Sequence, residues 1–201
     1  MSHVKAGIDR RGRAAAPIAG SALAAALWLA ALPAGVAGAP DHSPFPAGAG
    51  VDGSSAAARI WAPDAFLVYV ENDEDVDDHG SASRWGYLYF SPSLQKSRVY
   101  SLRDGAIVVA EDLEMKFEAP PLAAEWVDSD AALAAADERA GRAFCREHHG
   151  RLSQMLLSRG MFESDDPDAT TWTVIYTSPH AASLFVLVDA DHGAVRRTWR
   201  G

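Results

Sequence analysis

A nine-residue pattern that occurs twice constrains the fold of this chain more than any other feature. It reads RWGYLYFSP from Arg84 to Pro92 and TWTVIYTSP from Thr171 to Pro179, so that Trp, Tyr, Ser and Pro recur 87 positions apart. Aromatic and β-branched residues favour strands, whereas proline has no backbone N–H to give to a sheet. Each copy therefore predicts a strand that ends at Ser-Pro.

The segments around the two copies follow a similar order. An apolar run of strand length at 65–70 precedes the first copy, and short apolar runs separated by turns follow both copies. Asp104-Gly105 between two such runs is typical of a β-hairpin, because glycine readily takes a positive φ. In the second half, Asp128 and Ser129 can cap a long helix, with Gly141 at its kink or end. We therefore expect an α+β fold of two repeated units, each with one helix packed on a four-stranded antiparallel meander sheet.

Composition divides the chain into five segments. Residues 1–13 are polar and basic and residues 14–36 carry no charge, which is the layout of a secretory signal peptide over 1–39. A stretch rich in Pro, Gly and Ala predicts a flexible leader at 40–53, and the prolines of EAPPL predict an extended link at 118–127. One folded unit with a short helix is then expected at 54–117 and a second at 128–201.

The N-terminal segment leaves more than one mode of export open. Its uncharged run is long enough to span a bilayer, so a retained anchor is an alternative to cleavage. Arg10-Arg11 is compatible with twin-arginine export, although the following residues do not complete that motif. No cysteine follows the apolar run, which excludes a lipid-anchored bacterial lipoprotein. We expect a secreted or periplasmic protein with no stable membrane anchor after cleavage.

The charge balance limits the partners. Residues 1–39 hold four of the 18 basic and one of the 27 acidic side chains, which leaves 14 basic against 26 acidic side chains beyond them. Such an acidic surface repels phosphate groups, so nucleic acid and anionic membranes are not expected partners. Cys145 is the sole cysteine, so no disulfide forms within the chain and its core must stabilise it.

Candidate chemistry is sparse. Asp73, Asp75 and Asp77 alternate in an acidic connector at 71–80 and form a weak calcium candidate, but the sixth and twelfth positions of an EF-hand loop would be Asp78 and Arg84 rather than Gly and Glu. His148 and His149 suit a helix end better than a metal site, and Cys145 has no nearby group that would activate it. No GxSxG, HExxH, glycine-rich phosphate loop or CxxC occurs. We expect no catalytic residues, no metal and no cofactor.

The aromatic residues of the repeated pattern allow two interpretations. They form the core, or some of them line a concave sheet face that grips a peptide, and their spacing alone does not separate the two. The residues concerned are Trp85, Tyr87, Tyr89, Trp172 and Tyr176.

The second half resembles a PepSY-type domain. The resemblance rests on a helix followed by a meander whose last hairpin, FVLVDADHGAV from Phe185 to Val195, places an Asp-rich turn with Gly between two strands. A tandem of such cystatin-like units over 54–200 implies an extracytoplasmic, non-enzymatic binding or inhibitory module, with a secreted peptidase or an envelope protein as partner. A small-ligand pocket protein or enzyme of the same fold, and a calcium-dependent envelope protein, are the alternatives.

Overall fold

The computed structural model describes residues 42–113, 119–160, 166 and 168–201. The signal peptide expected at 1–39 lies outside them. The described chain contains a short 3-10 turn, three α-helices, one π-helical turn and eight β-strands. In chain order they are the 3-10 turn Ala47–Gly50, α1 Val51–Trp61, β1 Phe66–Asn72, β2 Trp85–Ser91, β3 Lys96–Arg103, β4 Ala106–Asp112, α2 Ser129–Ala136, the π-helical turn Asp137–Gly141, α3 Arg142–His148, β5 Arg151–Arg159, β6 Thr170–Thr177, β7 Leu184–Asp189 and β8 Val195–Arg200.

All eight strands form one antiparallel sheet, in the order β4-β3-β2-β1-β5-β6-β7-β8. The prediction of two repeated units, each with its own four-stranded sheet, is therefore wrong. The reason lies in β1, which pairs with β2 on one side and with β5 on the other. Pairing on both sides satisfies the backbone groups that a separate four-stranded unit would leave at an open edge.

The helices lie on one face of this sheet, over a single core. Alanines let α1 and α2 approach the strands closely, because Ala58, Ala132 and Ala136 are buried there. The rings of Trp85 and Trp172, from β2 and β6, meet edge to face with their centroids 6.2 Å apart. The core is thus shared by both halves of the sheet.

The segment expected to be a flexible leader is partly helical. Its last residues form the 3-10 turn and the start of α1. Glycine serves close packing there, since a Cβ atom on Gly50 would lie 2.2 Å from the Tyr87 hydroxyl oxygen and one on Gly48 would lie 2.5 Å from Asp128 Oδ2. The Asp128 carboxylate accepts hydrogen bonds from the backbone N–H of Gly48 at 2.8 Å and of Ser129 at 2.7 Å. It thereby caps α2 and fixes the turn before α1 together.

A π-helical turn separates α2 from α3 at the glycine expected to mark a kink. The Tyr176 ring packs against this turn so closely that a Cβ atom on Gly141 would lie 2.3 Å from it. The Tyr176 hydroxyl donates a hydrogen bond of 2.6 Å to Asp137 Oδ1 in the same turn. The helix widens where it receives this ring, and it ends at His149, which has a left-handed backbone.

The opposite face of the sheet carries no helix in the described part of the chain, and we call it the helix-free face. Towards β2 and β3 it holds a small apolar cluster of Val68, Leu88, Phe90 and Val99. Towards β8 it presents two cross-strand rows, Gln154, Ile175, Phe185 and Trp199 in one and Leu156, Thr173, Leu187 and Arg197 in the next. Among the described residues, none of the helices combines the length and the apolar composition that a membrane span requires.

Candidate functional site

The five aromatic residues of the repeated pattern lie under the helices. Each is at most 2% exposed, and the five are Trp85, Tyr87, Tyr89, Trp172 and Tyr176. Their polar atoms are satisfied within the chain. The Trp85 indole donates to the Phe45 carbonyl at 2.7 Å, and that of Trp172 donates to the Val127 carbonyl at 2.8 Å. The structure places these rings in the core, where they form no surface that a peptide could reach.

The three alternating aspartates do not come together. Asp73 accepts a hydrogen bond from Ser101, whereas Asp77 Oδ1 accepts the backbone N–H of Ser81 at 2.8 Å and shapes its own turn. Asp75 is exposed. Their carboxylates are therefore not arranged around a common point for calcium.

Within the described ranges the histidines and the cysteine do not form a ligand cluster with one another, although the rings of His149 and His180 are in contact with centroids 5.8 Å apart. His148 ends α3 with its ring against Phe144, and Cys145 is partly buried with the pKa of its thiol raised by burial and by Asp137. Within the described ranges, carboxylate and imidazole atoms converge at Asp189, Asp191 and His192. The Asp189 carboxylate there already accepts N–H groups from Arg196, one of them at 2.7 Å. Although burial opposes ionisation, these hydrogen bonds hold the pKa of Asp189 below its usual range.

The most unusual polar side chain is Glu71, which lies in β1 on the helix-free face. It stands opposite Gly86 of β2 and opposite Leu156 of β5, and it is 7% exposed. Its Oε2 atom accepts two hydrogen bonds, from the Tyr69 hydroxyl at 2.9 Å and from Gln154 Nε2 at 3.1 Å. Its Oε1 atom accepts none from the described residues.

Burial controls the electrostatics of this carboxyl group. Burial and the nearby Asp73 raise the pKa of Glu71 to about 7, although the hydrogen bonds from Tyr69 and Gln154 oppose the shift. Burial also raises the pKa of Asp73, with Ser101 and Arg84 opposing. Near neutral pH, Glu71 therefore exchanges readily between its neutral and its ionised form.

The neighbouring carboxylates differ from Glu71 because each has a cation. Arg84 Nε lies 3.5 Å from Asp73 Oδ2, and Arg103 contacts Glu74. No described lysine, arginine or histidine forms an ion pair with Glu71. In this group of three carboxylates, Glu71 alone lacks a charge partner among the described residues.

Two buried hydroxyl groups near Glu71 have no hydrogen-bond partner among the described residues. They belong to Ser158, which is 2% exposed, and to Thr173, which is fully buried. Both lie on the helix-free face. Leu157, which precedes Ser158, and Trp172, which precedes Thr173, point into the helix-covered core, and successive residues of a strand point to opposite faces. Together with Glu71 and Gln154, Ser158 and Thr173 surround Leu156. A buried polar group without a partner is uncommon in native proteins and calls for an explanation.

Next to this group, a row of one aliphatic and two aromatic side chains crosses the last three strands. Ile175, Phe185 and Trp199 are register neighbours and partly exposed. The Phe185 and Trp199 rings stack with centroids 5.1 Å apart, and the Arg197 guanidinium lies 5.0 Å from the Trp199 ring centroid. Aromatic side chains and arginine are the residues that most often dominate protein–protein binding.

Sequence reasoning missed Glu71 because it assigned residues 71–80 to an acidic connector. A signal was present: Tyr69 and Glu71 are two residues apart, so a strand continued beyond Val70 places both on one face. Ser158 and Thr173 carried no such signal, since their isolation depends on how β5 and β6 pair.

A shallow cleft lies on the helix side, with a volume of about 390 Å³. It is open to solvent and bordered by Asp78, His79, Asp130, Asp137 and Arg142. Asp137 is already engaged by the Tyr176 hydroxyl, and Arg142 Nε lies 3.8 Å from its other carboxylate oxygen. His79 Nε2 lies 3.5 Å from Asp78 Oδ1, and Asp130 Oδ1 accepts the backbone N–H of Ala131 at 2.6 Å, so the charged groups of the cleft already have partners within the chain.

Comparison with known proteins shows the fold and no more. No family model and no curated protein matches this chain. One solved structure that is similar is the crystal structure of a protein described as a candidate lipoprotein from Clostridium difficile 630. The two chains are 10% identical with a TM-score of 0.53, and the match covers 75% of this chain and 92% of the other. The resemblance to PepSY-type domains receives no support from these comparisons.

Proposed function

We propose that this chain is an exported binding module that docks a partner protein on the helix-free face. The observation that carries the proposal is the stacked pair Phe185 and Trp199, with Arg197 over the indole, on a sheet face that no described helix covers. Single exposed apolar residues are ordinary, but a stacked aromatic pair with a cation above it is the composition of an interface centre.

Export is part of the proposal. It is supported by the basic, apolar and small-residue order of residues 1–39, and the description of the structural neighbour as a candidate lipoprotein agrees with it. No cysteine stands directly after the apolar run, where a lipid would be attached, so we propose a secreted or periplasmic protein without a lipid anchor.

Two classes of partner fit the proposal. The resemblance to PepSY-type domains implies an exported peptidase, which the module would inhibit or regulate. An envelope protein is the second class of partner. A peptidase inhibitor should slow at least one member of a panel of secreted peptidases when added in stoichiometric amount. If none is slowed, the peptidase version of the proposal is wrong.

Capture of the partner tests the proposed function directly. The purified protein would be immobilised and exposed to envelope and medium fractions of the producing cell, beside a Phe185→Ala, Trp199→Ala double variant. Ile60→Ala is the matched control, because Ile60 is an apolar residue of α1 that is 88% exposed on the helix side. We expect stoichiometric capture by the wild type and by the control, and loss of capture in the double variant. Capture that the double variant retains would overturn the proposal.

A further inference from the structure

We propose that copies of this chain join edge to edge, so that β4 of one copy pairs with β8 of the next and the antiparallel sheet continues across the contact. The inference goes beyond the proposed function, because it concerns the two edges of the sheet and needs no partner other than the chain itself.

The two strands at the ends of the sheet order are exposed to solvent. Every residue of β4 except Val109 is exposed, and so is every residue of β8 except Val195 and Trp199. Ile107 and Val108 of β4 are 39% and 51% exposed, although large apolar side chains of this kind are more often buried. An exposed edge strand of β-branched residues is a ready template for pairing with another strand.

The two edges carry opposite charges. β8 holds Arg196, Arg197 and Arg200 and no acidic residue, whereas β4 holds Glu111 and Asp112 and no basic residue. Pairing two identical edges brings like charges together, which is unfavourable, whereas pairing β4 with β8 brings opposite charges together. Arg196 and Asp112 already form ion pairs within the chain, so Glu111 and Arg197 are the charges most suited to a contact between copies.

The topology makes this pairing antiparallel. Neighbouring strands alternate in direction through all eight positions, so β4 and β8 run in opposite directions. A second copy in the same orientation, with its helices on the same side, therefore sets its β4 antiparallel to β8 of the first. Each further copy repeats this contact, which gives an open filament unless the rotation between copies closes a ring.

In β4 the backbone groups of Ala110 point away from the sheet. The Leu113 N–H, just beyond β4, donates to the Ser97 carbonyl of β3 at 2.9 Å, so these two residues form a hydrogen-bonded pair. Hydrogen-bonded and non-hydrogen-bonded pairs alternate along antiparallel strands, and Ala110, three residues earlier, belongs to the second kind. Its carbonyl accepts the Arg98 guanidinium at 3.2 Å and has a second lone pair for a further donor.

β8 has the same phase. The Gly201 N–H donates to the Ser183 carbonyl at 3.1 Å, which places Thr198, three residues earlier, among the residues whose backbone groups point outward. Each edge strand contains a bulge, but residues 109–112 and 197–200 keep a regular register beside it. Each edge therefore offers an outward N–H and C=O within a regular stretch of strand.

One register satisfies the backbone and the charges together. With Ala110 opposite Thr198 as a hydrogen-bonded pair, Glu111 stands opposite Arg197. Both of these side chains lie on the helix-free face, since Glu111 is the register neighbour of Val99 and Arg197 belongs to a cross-strand row of that face. The two form a non-hydrogen-bonded pair, the kind in which opposed side chains are closest.

Charge reversal tests the contact between copies. Sedimentation velocity of the purified protein would be measured over a range of concentrations for the wild type, Glu111→Arg, Arg197→Glu, the double variant, and an equimolar mixture of the two single variants. Glu125→Arg in the link before α2 and Arg146→Glu in α3 are the matched controls, because they make the same charge changes at exposed positions outside both edges. Urea unfolding would verify that each variant remains folded.

We expect the wild type and the controls to self-associate, and each single reversal to raise the dissociation constant about tenfold or more, because it sets like charges opposite each other. The double variant and the mixture should recover the association, since every β4 there meets a β8 of opposite charge. A wild type that stays monomeric at every concentration, or a mixture that does not recover, would overturn the inference. Association lost in Arg197→Glu and unchanged in Glu111→Arg would assign β8 to a different acidic segment and would overturn it as well.

Cysteine cross-linking tests the register. In a Cys145→Ser background, Glu111→Cys mixed with Arg197→Cys should form a disulfide between copies on oxidation with oxidised glutathione, because opposed residues of antiparallel strands lie within the span of a disulfide. Glu111→Cys mixed with Thr198→Cys is the control and should not cross-link, since the Thr198 side chain points to the other face. Equal yields from the two mixtures would overturn the proposed pairing.

Discussion

The two faces of the sheet differ in how completely their polar groups are satisfied. On the helix-covered face the indole groups of Trp85 and Trp172 and the hydroxyl of Tyr176 all donate hydrogen bonds within the chain. On the helix-free face the hydroxyls of Ser158 and Thr173 have no partner in the part of the chain that the structure describes. Glu71, on the same face, has no described cation. Each buried polar group left unsatisfied costs about 1–3 kcal/mol. On the helix-covered face Arg98 Nε, opposite Tyr89, is also a buried atom without a partner among the described residues, so the difference between the faces lies in their hydroxyl and carboxyl groups.

The largest expected effect is the loss of a core tryptophan. Trp172 packs edge to face against Trp85 and Trp126, with centroids 6.2 and 5.7 Å away. Trp172→Ala should therefore lower the free energy of unfolding by about 3–5 kcal/mol, because it leaves a large cavity. Trp199→Ala on the helix-free face should cost about 1 kcal/mol or less. Urea unfolding measures both, and equal losses would remove the distinction between the two faces.

The second prediction concerns pH. The pKa of Glu71 is raised to about 7 from an ordinary value of 4.5, so the folded state retains a proton that the unfolded state releases. The contribution of Glu71 to stability is thus greatest below pH 4.5, falls as the pH rises towards 7, and is constant above it. One pKa unit corresponds to 1.36 kcal/mol, so the total loss is about 3 kcal/mol.

Glu71→Gln isolates this contribution, because glutamine keeps the shape and does not ionise. We expect the variant to equal the wild type near pH 4.5 and to be more stable than it at pH 8. Asp73 titrates in both proteins, so its own pH dependence cancels in the difference. A variant that is less stable than the wild type at pH 8 would show that ionised Glu71 already has a partner in the free protein.

A smaller effect is expected at Tyr176. Its hydroxyl donates a 2.6 Å hydrogen bond to Asp137, and burial followed by that carboxylate raises the pKa of the phenol. Tyr176→Phe should lower the free energy of unfolding by about 1.5–3 kcal/mol, the range for hydrogen bonds to charged groups. Thermal unfolding would measure it. An unchanged Tm would mean that the π-helical turn does not depend on this hydrogen bond.

The smallest expected effect has the opposite sign. Thr173→Val replaces an unpartnered buried hydroxyl with a methyl group of similar shape and should stabilise the free chain by about 1 kcal/mol. Thr177→Val, in the same strand at a partly exposed position, is the control and should change little. Destabilisation by Thr173→Val would mean that the hydroxyl has a partner in solution and that the helix-free face is complete.

Local features of the fold could be predicted from the sequence. The hairpin at Asp104-Gly105 is confirmed, with positive φ at both residues, and Asp128 caps α2. The pairing of β1 with β5 could not be predicted, because no turn joins these strands and a pattern repeated along the chain does not reveal which strand edges meet. The composition around Gly48 and Gly50 favours a flexible leader, yet both glycines serve close packing.

The candidate site was less accessible to sequence reasoning than the fold. Burial of Trp85 and its counterparts was one of two interpretations, and only tertiary packing separates them. Glu71 is acidic in an acidic stretch, and what distinguishes it is that no cation among the described residues lies beside it. Such an absence depends on the register of three strands, which a single sequence does not specify.

The most direct test of the central claim is side-chain footprinting of the captured complex by hydroxyl radicals. The account predicts that oxidation of Trp199 and Phe185 falls several-fold when the partner is bound, while oxidation of Ile60 in α1 stays unchanged. Protection of Ile60 with unaltered Trp199 would show that the partner binds the helical side, and the helix-free face would lose its proposed role.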